Sequence, residues 1–259
     1  MSQKQRPKKN KSILSYAITI ICLSVFVYAA YGLFGILFDY YRNDKVLADL
    51  QDIYYEDRED EMNTHPYAEK RIRSGFDGLK EINDDIIGWI TIENTKIDYP
   101  ILQSGNNTDY LKRNYYGEDS LPGSIFMDYR NNVTMNEKNF VLYGHRVKDG
   151  SMFQHLTKYL DKDFFEANQT FTFDTLYDRY EAEIFAVYNT MIDFDYIETD
   201  FDNEADYTAL LQGIHERSIY ETDVEITNDD QMITLSTCEY TLDPDDSRLV
   251  IHAKLTKIE

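Results

Sequence analysis

The chain has 259 residues, of which 26 are Lys or Arg and 47 are Asp or Glu, so its formal net charge is −21 at pH 7. Such an acidic protein repels nucleic acid and anionic lipid, so neither is expected as its main partner. The two cysteines are Cys22 and Cys238. Cys22 lies in an apolar run that we expect to span a membrane, so the remaining chain has no partner for an intramolecular disulfide.

The N-terminus has the charge pattern of a membrane anchor. Residues 1–12 carry five cations and no acid, and residues 13–38 are 26 residues without a charge. A helix of that length is about 39 Å long and can cross a hydrocarbon core of about 30 Å. We therefore predict a cytoplasmic tail over 1–12, a single transmembrane helix over 13–38 in the cell membrane, and the remainder outside the cell. A cleaved signal peptide is the alternative, although the run exceeds the ~7–15 residues of a signal core and no small-x-small site ends it.

Residues 39–84 are predicted to form a helical appendage. Between residues 44 and 60 an acidic sequence carries an apolar stripe at helical spacing, formed by Val46, Leu47, Leu50, Ile53 and Tyr54. A second helix is predicted over 66–82, because Pro66 suits a first helical turn and apolar residues then recur at helical spacing. Periodicity does not decide whether these helices form a stalk or pack on the domain that follows.

From residue 85 to residue 259 the pattern changes to short β-forming segments between turn-forming residues, which is typical of a mainly β domain. Two helical insertions are predicted within it, over 151–167 and 203–217. Eight short strands with few long helices indicate a closed or nearly closed β-barrel. The predicted strands are 86–92, 96–102, 124–128, 139–143, 170–173, 179–189, 231–238 and 248–257.

Cys238 ends one of these strands and is the candidate nucleophile. A thiol is only a few per cent ionised at neutral pH, so a reactive cysteine needs a neighbouring base or cation. Of the five histidines, His145 and His252 are the candidates for the base. His145 ends a strand before a loop, where reactive groups are often presented, and is favoured. His252 shares a strand face with Arg248 and stays a competitor; without a catalytic role it is expected to be a half-exposed strand residue.

Arg248 begins the last strand and is the candidate cation. Its guanidinium stays protonated and cannot act as a base, but its forked N–H donors suit a developing oxyanion or a substrate carbonyl. The competing interpretation is a surface ion pair with one of the nearby acids, Asp243, Asp245 and Asp246. On these residues alone the ion pair is the stronger interpretation.

Four segments resemble those of class B sortases. Residues 139–153, which contain Tyr-Gly-His, are similar to the histidine segment of that family. Residues 233–240, which contain Thr-Leu-Ser-Thr-Cys, resemble its cysteine strand, and residues 247–254 resemble its arginine strand. The run Gly-Ser-Ile-Phe-Met-Asp at 123–128 is similar as well. The combination and its order are specific, and the resemblance covers the chain from about residue 85 to the C-terminus.

The resemblance implies an eight-stranded sortase-type β-barrel with N-terminal helices and a helix before the cysteine strand. It also implies a cysteine transpeptidase that anchors surface proteins to the cell wall of a Gram-positive bacterium. Carried over by position, Cys238 is the nucleophile, His145 the acid and base, and Arg248 the cation that stabilises the oxyanion or positions the substrate. A weaker alignment assigns the substrate groove to Asn107, Leu111, Tyr196, Ile197 and Ser236. No metal or other cofactor is expected.

The implied substrates are surface proteins with a C-terminal sorting signal similar to Asn-Pro-x-Thr, which is cleaved after the threonine through a thioester. The second substrate is an amine of a lipid-linked peptidoglycan precursor. Two alternatives on the same fold are a sortase that polymerises pilins on a lysine side chain and a hydrolytic cysteine peptidase. A third alternative is a membrane-tethered adhesin without enzymatic activity.

Overall fold

Eight strands close into a barrel in the part of the chain that the structure describes. The computed structural model describes residues 13–64, 72–191, 193–238 and 247–258, with 13, 14, 57–64, 74 and 238 described as backbone only. The strands are β1 (Ile86–Thr91), β2 (Asp98–Leu102), β3 (Phe126–Met127), β4 (Asn139–Tyr143), β5 (Thr170–Thr175), β6 (Arg179–Met191), β7 (Gln231–Cys238) and β8 (Ser247–Lys257).

The barrel is closed because the strands at the two ends of its order also pair. That order is β1-β2-β3-β4-β7-β8-β6-β5, and β5 pairs with β1. The pairs β2–β3 and β4–β7 are parallel, and the other pairs are antiparallel. The predicted fold class, a mainly β eight-stranded barrel with helical additions, is therefore confirmed.

β1 ends one residue earlier than predicted, and two further strands, β2 and β3, are shorter by two or three residues because their backbone groups bond elsewhere. β2 begins at Asp98 instead of residue 96, because a tight turn precedes it in which the Ile92 N–H donates to the Ile97 carbonyl at 2.8 Å. β3 has two residues instead of five. Before it, the Ser124 N–H donates to the Tyr110 carbonyl at 2.9 Å and so takes no part in a strand ladder.

The predicted helix before the cysteine strand is confirmed as α4 (Glu204–Arg217). Asn203 precedes it, and its side-chain oxygen accepts from the N–H groups of Ala205 and Asp206, which fixes the first turn. The helix packs against β6, β7 and β8, and the contact is made by Tyr207, Leu210, Leu211 and Ile214 against Phe185, Tyr188, Met232 and Val250. Because α4 covers one face and the barrel interior the other, β8 is fully buried from Leu249 to Ala253.

The N-terminal helical predictions need correction. The helices predicted over 13–38 and 44–60 are one continuous helix, α1 (Ile13–Thr64), because no Gly or Pro interrupts the hydrogen-bond ladder between them. In its described residues, 72–82, the segment predicted over 66–82 contains one 3-10 turn and the short α2 (Asp77–Ile82). Residues 66–71 of that segment lie outside the described residues.

The first helical insertion is two helices instead of one. A 3-10 helix, Phe153–Leu160, is followed by α3 (Lys162–Ala167). Asp161 lies between them in an extended conformation, and its carboxylate accepts from the Phe164 N–H at 3.0 Å. This residue therefore ends the first helix and caps the second.

The internal contacts divide the chain into two compact units, and the boundary in the sequence falls between Arg42 and Asn43. In the first unit α1 exposes its apolar side chains, and α1 is long and apolar enough to cross a membrane, a property that signal sequences share. In the second unit, Tyr54 of α1 is buried and its ring stacks on Trp89 at a centroid distance of 4.2 Å. This part of α1 therefore packs on the barrel, which periodicity left open. The predicted boundaries stay predictions, with segments 1–12, 13–38, 39–84 and 85–259.

Candidate active site

The ends of three strands meet at one edge of the barrel. β4 and β7 are parallel, with Tyr143 in register with Ser236, so both strands end at the same edge. β8 runs antiparallel to β7 and begins there, with Arg248 opposite Cys238. Parallel neighbours end at the same edge of a sheet, and an antiparallel neighbour begins where its partner ends. This topology therefore brings together residues that are far apart in the sequence.

A groove of about 330 Å³ lies at this edge, which is within the usual range of ligand sites. Its wall contains seven of the eight predicted site residues: His145, Arg248, Asn107, Leu111, Tyr196, Ile197 and Ser236. The eighth, Cys238, has its side chain outside the described part of the structure, and its backbone pairs with Arg248.

His145 is oriented by a backbone carbonyl. Its Nε2 atom lies 2.9 Å from the carbonyl oxygen of Leu111. A carbonyl can only accept a hydrogen bond, so Nε2 carries the proton of the neutral imidazole. Nδ1 is then the unprotonated nitrogen, and an imidazole in this tautomer can act as a general base through Nδ1.

The backbone next to His145 is tightly packed. The Phe153 N–H donates to the His145 carbonyl at 2.9 Å. A Cβ atom on Gly144 would collide with the Ile125 side chain and lie 2.8 Å from the Phe153 ring. Only glycine fits before the histidine, so close packing of the backbone determines where the imidazole lies.

Arg248 is half-buried at the start of β8, and its Nη1 donates to the Ser247 carbonyl at 2.9 Å. It lines the groove together with His145. The competing interpretation, a surface ion pair with an acid among residues 243–246, concerns residues outside the described part of the chain.

His252 is fully buried, so the expectation of a half-exposed strand residue is wrong. The reason is α4, which covers the strand face that His252 shares with Val250. Its Nδ1 lies 2.9 Å from the Thr234 hydroxyl, and its Nε2 lies 2.8 Å from the Tyr188 hydroxyl. Burial, with a smaller contribution from His215, lowers the pKa of His252 to about 3. A neutral imidazole with both nitrogens engaged inside the protein is poorly suited to acid–base catalysis.

The hydrogen bonds around His252 form a series in which each group donates to the next, from the Tyr188 hydroxyl to the Asn139 amide. The Asn139 amide nitrogen donates to the Glu198 and Tyr196 carbonyls at 2.9 and 3.3 Å, so its Oδ1 is the atom that faces Thr234. Thr234 therefore donates to that oxygen, at 2.7 Å, and accepts from Nδ1–H of His252. Nε2 of His252 then accepts from the Tyr188 hydroxyl, and the other end of the series is at the Tyr196 and Glu198 carbonyls.

The groove wall is itself hydrogen-bonded. The hydroxyls of Tyr196 and Ser236 lie 2.9 Å apart, and both residues are almost fully buried. Asn107 uses both ends of its amide: Nδ2 donates to Asp128 at 2.9 Å, and Oδ1 accepts from the Tyr129 N–H at 3.0 Å. These contacts hold the wall in one shape.

Sequence reasoning missed further residues of the groove. Tyr143, Phe126 and Phe194 give it aromatic surface, and the buried Thr237 hydroxyl has no hydrogen-bond partner among the described residues. Phe126, Tyr143 and Thr237 lie inside the segments that carry the family resemblance. Phe194 had no comparable signal, because an aromatic residue in a loop is most often an ordinary packing residue.

No group of three or more His, Cys, Asp or Glu side chains in the described residues could hold a metal ion. The acids between residues 239 and 246 lie outside this part of the structure. The expectation that no metal is needed therefore stays a prediction.

Comparison with known proteins identifies relatives over most of the chain. A family model described as "Sortase domain" matches residues 90–256. Sortase B of Listeria monocytogenes is 42% identical over 247 residues, which is 95% of this chain and 98% of the relative. The crystal structure of sortase B from Bacillus anthracis in complex with AAEK1 has a TM-score of 0.75 and 48% identity, covering 86% of this chain and 100% of that one. A Staphylococcus aureus sortase B–substrate complex has a TM-score of 0.78 and 34% identity, covering 86% and 100%.

Proposed function

The chain belongs to the sortase family of cysteine transpeptidases, and we propose that it is a membrane-anchored enzyme that cleaves an Asn-Pro-x-Thr-like sorting signal after the threonine. One observation carries the proposal: His145 and Arg248 line a single groove at the barrel edge where β7 ends with Cys238. A base, a fixed cation and a thiol at one site are what acyl transfer through a thioester requires.

In the first half-reaction Cys238 is the nucleophile. Nδ1 of His145 takes the thiol proton, and the thiolate attacks the carbonyl carbon of the threonine. The guanidinium of Arg248 stabilises the negative charge that develops on the carbonyl oxygen. His145 then gives the proton to the departing amine, the peptide bond breaks, and a thioester to Cys238 remains.

In the second half-reaction an amine of a peptidoglycan precursor attacks the thioester. His145 takes a proton from the amine, a new amide bond forms, and the Cys238 thiolate leaves. The surface protein is thereby joined to the precursor without net consumption of water. The acceptor is proposed to be lipid-linked, and a lysine of a pilin is the alternative acceptor.

The groove is proposed to bind the signal peptide. Tyr196, Ile197 and Leu111 offer apolar surface, while Asn107 and Ser236 add polar groups. The Staphylococcus aureus relative has been solved as a complex with a substrate, and its structure covers 86% of this chain. A wall that is already hydrogen-bonded loses little entropy when the peptide binds.

The apolar part of α1 is proposed to hold the enzyme at the outer face of the cell membrane, with residues 1–12 in the cytoplasm. Its length and composition suit a membrane span. Secreted substrate and lipid-linked precursor then meet the enzyme in two dimensions, which raises their effective concentration.

The test uses the full-length protein in detergent with a library of peptides that vary around Asn-Pro-x-Thr. Mass spectrometry should find cleavage after threonine, and added triglycine should convert the hydrolysis product into a ligation product. Cys238→Ala should abolish both products, while Cys22→Ala, which changes an exposed cysteine of α1, should retain them.

Turnover by Cys238→Ala would exclude the mechanism. Hydrolysis that triglycine leaves unchanged would favour the cysteine peptidase. A protein that cleaves no peptide would leave the adhesin as the remaining interpretation.

A further inference from the structure

A buried acid lies beneath the groove and takes no part in the proposed chemistry. Asp128 follows β3 directly and has no exposed surface. Its Oδ1 accepts from the Arg130 N–H and Nε at 3.0 and 2.9 Å. Its Oδ2 accepts from Arg130 Nη2 at 3.0 Å, from the Tyr143 hydroxyl at 2.8 Å and from Asn107 Nδ2 at 2.9 Å. Both carboxylate oxygens are therefore fully used inside the protein.

Two of these donors line the groove. They are Asn107 and Tyr143, and each gives a hydrogen bond to the same oxygen of Asp128. Asn107 lies in the loop after β2, whereas Tyr143 ends β4. Asp128 thus joins two separate elements of the groove lining.

The third donor, Arg130, reaches a further element that lines the groove. Nη2 of Arg130 also donates to the Ile197 carbonyl at 2.7 Å, and its Nη1 lies 3.7 Å from the Glu198 carboxylate. Ile197 lines the groove from the loop between β6 and α4. Arg130 therefore connects the buried carboxylate to this loop, using the forked geometry that lysine lacks.

The charge at Asp128 is maintained by its partners. Burial by itself raises the pKa of Asp128, but the hydrogen bonds from Arg130, Tyr143 and Asn107 outweigh it and hold the pKa below its ordinary value. An ionised carboxylate that accepts from several donors holds them more firmly than a neutral group can. A buried charge is costly unless it is fully paired, so each partner is held in place.

We propose that Asp128, acting through Arg130, is the positioning residue that holds three elements of the groove lining in the arrangement that the signal peptide needs. These elements are the loop after β2, the end of β4 and the loop between β6 and α4. Their arrangement determines which peptide side chains fit beside Asn107, Tyr143 and Ile197. The inference rests on the proposed function, because it takes the groove to be the peptide site.

The test compares three variants of the full-length protein in detergent. Asp128→Asn keeps the size but removes the charged acceptor, and Arg130→Lys keeps the charge but not the fork. Asp174→Asn is the matched control: Asp174 is equally buried and pairs with Arg73 and Arg179, and it does not line the groove.

Peptide kinetics give the first readout. Asp128→Asn and Arg130→Lys should raise KM for the Asn-Pro-x-Thr peptide at least about tenfold, since a hydrogen bond to a charged group is lost, and change kcat by less than about threefold. Discrimination against peptides substituted within the motif should also fall. Asp174→Asn should not share these effects; it should lower the thermal stability and keep the wild-type KM.

Hydrogen exchange of the segment 193–203 gives a readout that needs no substrate. Exchange should be faster than in the wild type in Asp128→Asn and Arg130→Lys, and unchanged in Asp174→Asn. Arg130 is partly exposed, so its variant is expected to fold even if Asp128→Asn does not. A folded Arg130→Lys protein with wild-type KM, wild-type discrimination or wild-type exchange overturns the proposal. If the wild-type protein cleaves no peptide, the proposed function fails, and the exchange comparison alone decides whether Asp128 and Arg130 hold the loop between β6 and α4 in place.

Discussion

Two histidines of this chain show how hydrogen-bond partners determine the chemistry of an imidazole. At His145 the Leu111 carbonyl requires a proton on Nε2, which leaves Nδ1 basic. At His252 the chain through Thr234 requires the proton on Nδ1, and Nε2 accepts from Tyr188. The two residues are therefore opposite tautomers, one beside a groove and the other enclosed in the core.

At the residue scale, lowering the pH should destabilise the wild-type protein more than it destabilises the His252→Gln variant. Burial, with a smaller contribution from His215, lowers the pKa of His252 from 6.5 to about 3. Between these values the unfolded state binds a proton that the folded state does not. The contribution of neutral His252 to the free energy of unfolding is therefore fully present above the unfolded pKa and is lost as the pH falls toward 3. Thermal unfolding of the full-length protein in detergent, followed by fluorescence of Trp89, checks this at about pH 7.5 and about pH 4.5. An equal loss in both proteins would show that His252 already binds a proton in the folded state.

At the element scale, the turn before β3 supports the acceptor of His145. Gly123 has a φ of 63° in this turn, and the next N–H, of Ser124, donates to the Tyr110 carbonyl at 2.9 Å. A Cβ atom on Gly123 would lie 2.7 Å from the Leu111 carbonyl oxygen. The turn therefore needs glycine both for its backbone conformation and for the close approach to the group that orients the imidazole.

Gly123→Ala should move the Leu111 carbonyl and with it His145, and lower kcat/KM at least about tenfold, because small displacements of a catalytic group are costly. Gly117→Ala is the matched control. Gly117 also has a positive φ, of 77°, but a Cβ atom there meets nothing within 4 Å. Gly117→Ala should therefore introduce a backbone strain similar to that of Gly123→Ala and keep the wild-type activity. Equal kinetics of the two variants in the peptide assay would show that the turn does not position His145.

At the scale of the whole molecule, the folded unit that contains the barrel begins at Asn43, well before β1. Leu50 has no exposed surface, and Gln51 donates to the Asp98 carbonyl at 2.8 Å. The barrel domain thus includes part of α1 in its core, and this part of the helix is not a free stalk.

Leu50→Ala should therefore destabilise the full-length protein by about 2–5 kcal/mol, the usual effect of deleting a buried leucine side chain. Leu37→Ala changes an exposed leucine of the same helix, before Asn43, and should leave the thermal unfolding of the barrel unchanged. Fluorescence of Trp89, which stacks on Tyr54, reports the transition directly. Identical unfolding of both variants would show that residues 43–56 contribute nothing to the folded domain.

The sequence by itself determined the class of the fold and the segments of the site. Alternation of apolar and polar residues and turn-forming residues are local properties, so they predicted all eight strands and α4 with small errors at the ends. The apolar run over 13–38 and the Thr-Leu-Ser-Thr-Cys strand can likewise be recognised from a short stretch of sequence. The order of the segments then carried the resemblance to a family.

Only the tertiary structure decided which polar residues are enclosed and what they bind. Alternation puts Arg248 and His252 on one face of β8, yet one lines the groove and the other lies under α4. Nothing local to Asp128 indicates that it accepts hydrogen bonds from both Asn107 and Tyr143 of the groove lining. The physical reason is that burial and hydrogen-bond partners depend on which distant elements cover a face, and that information is absent from the period of any single segment.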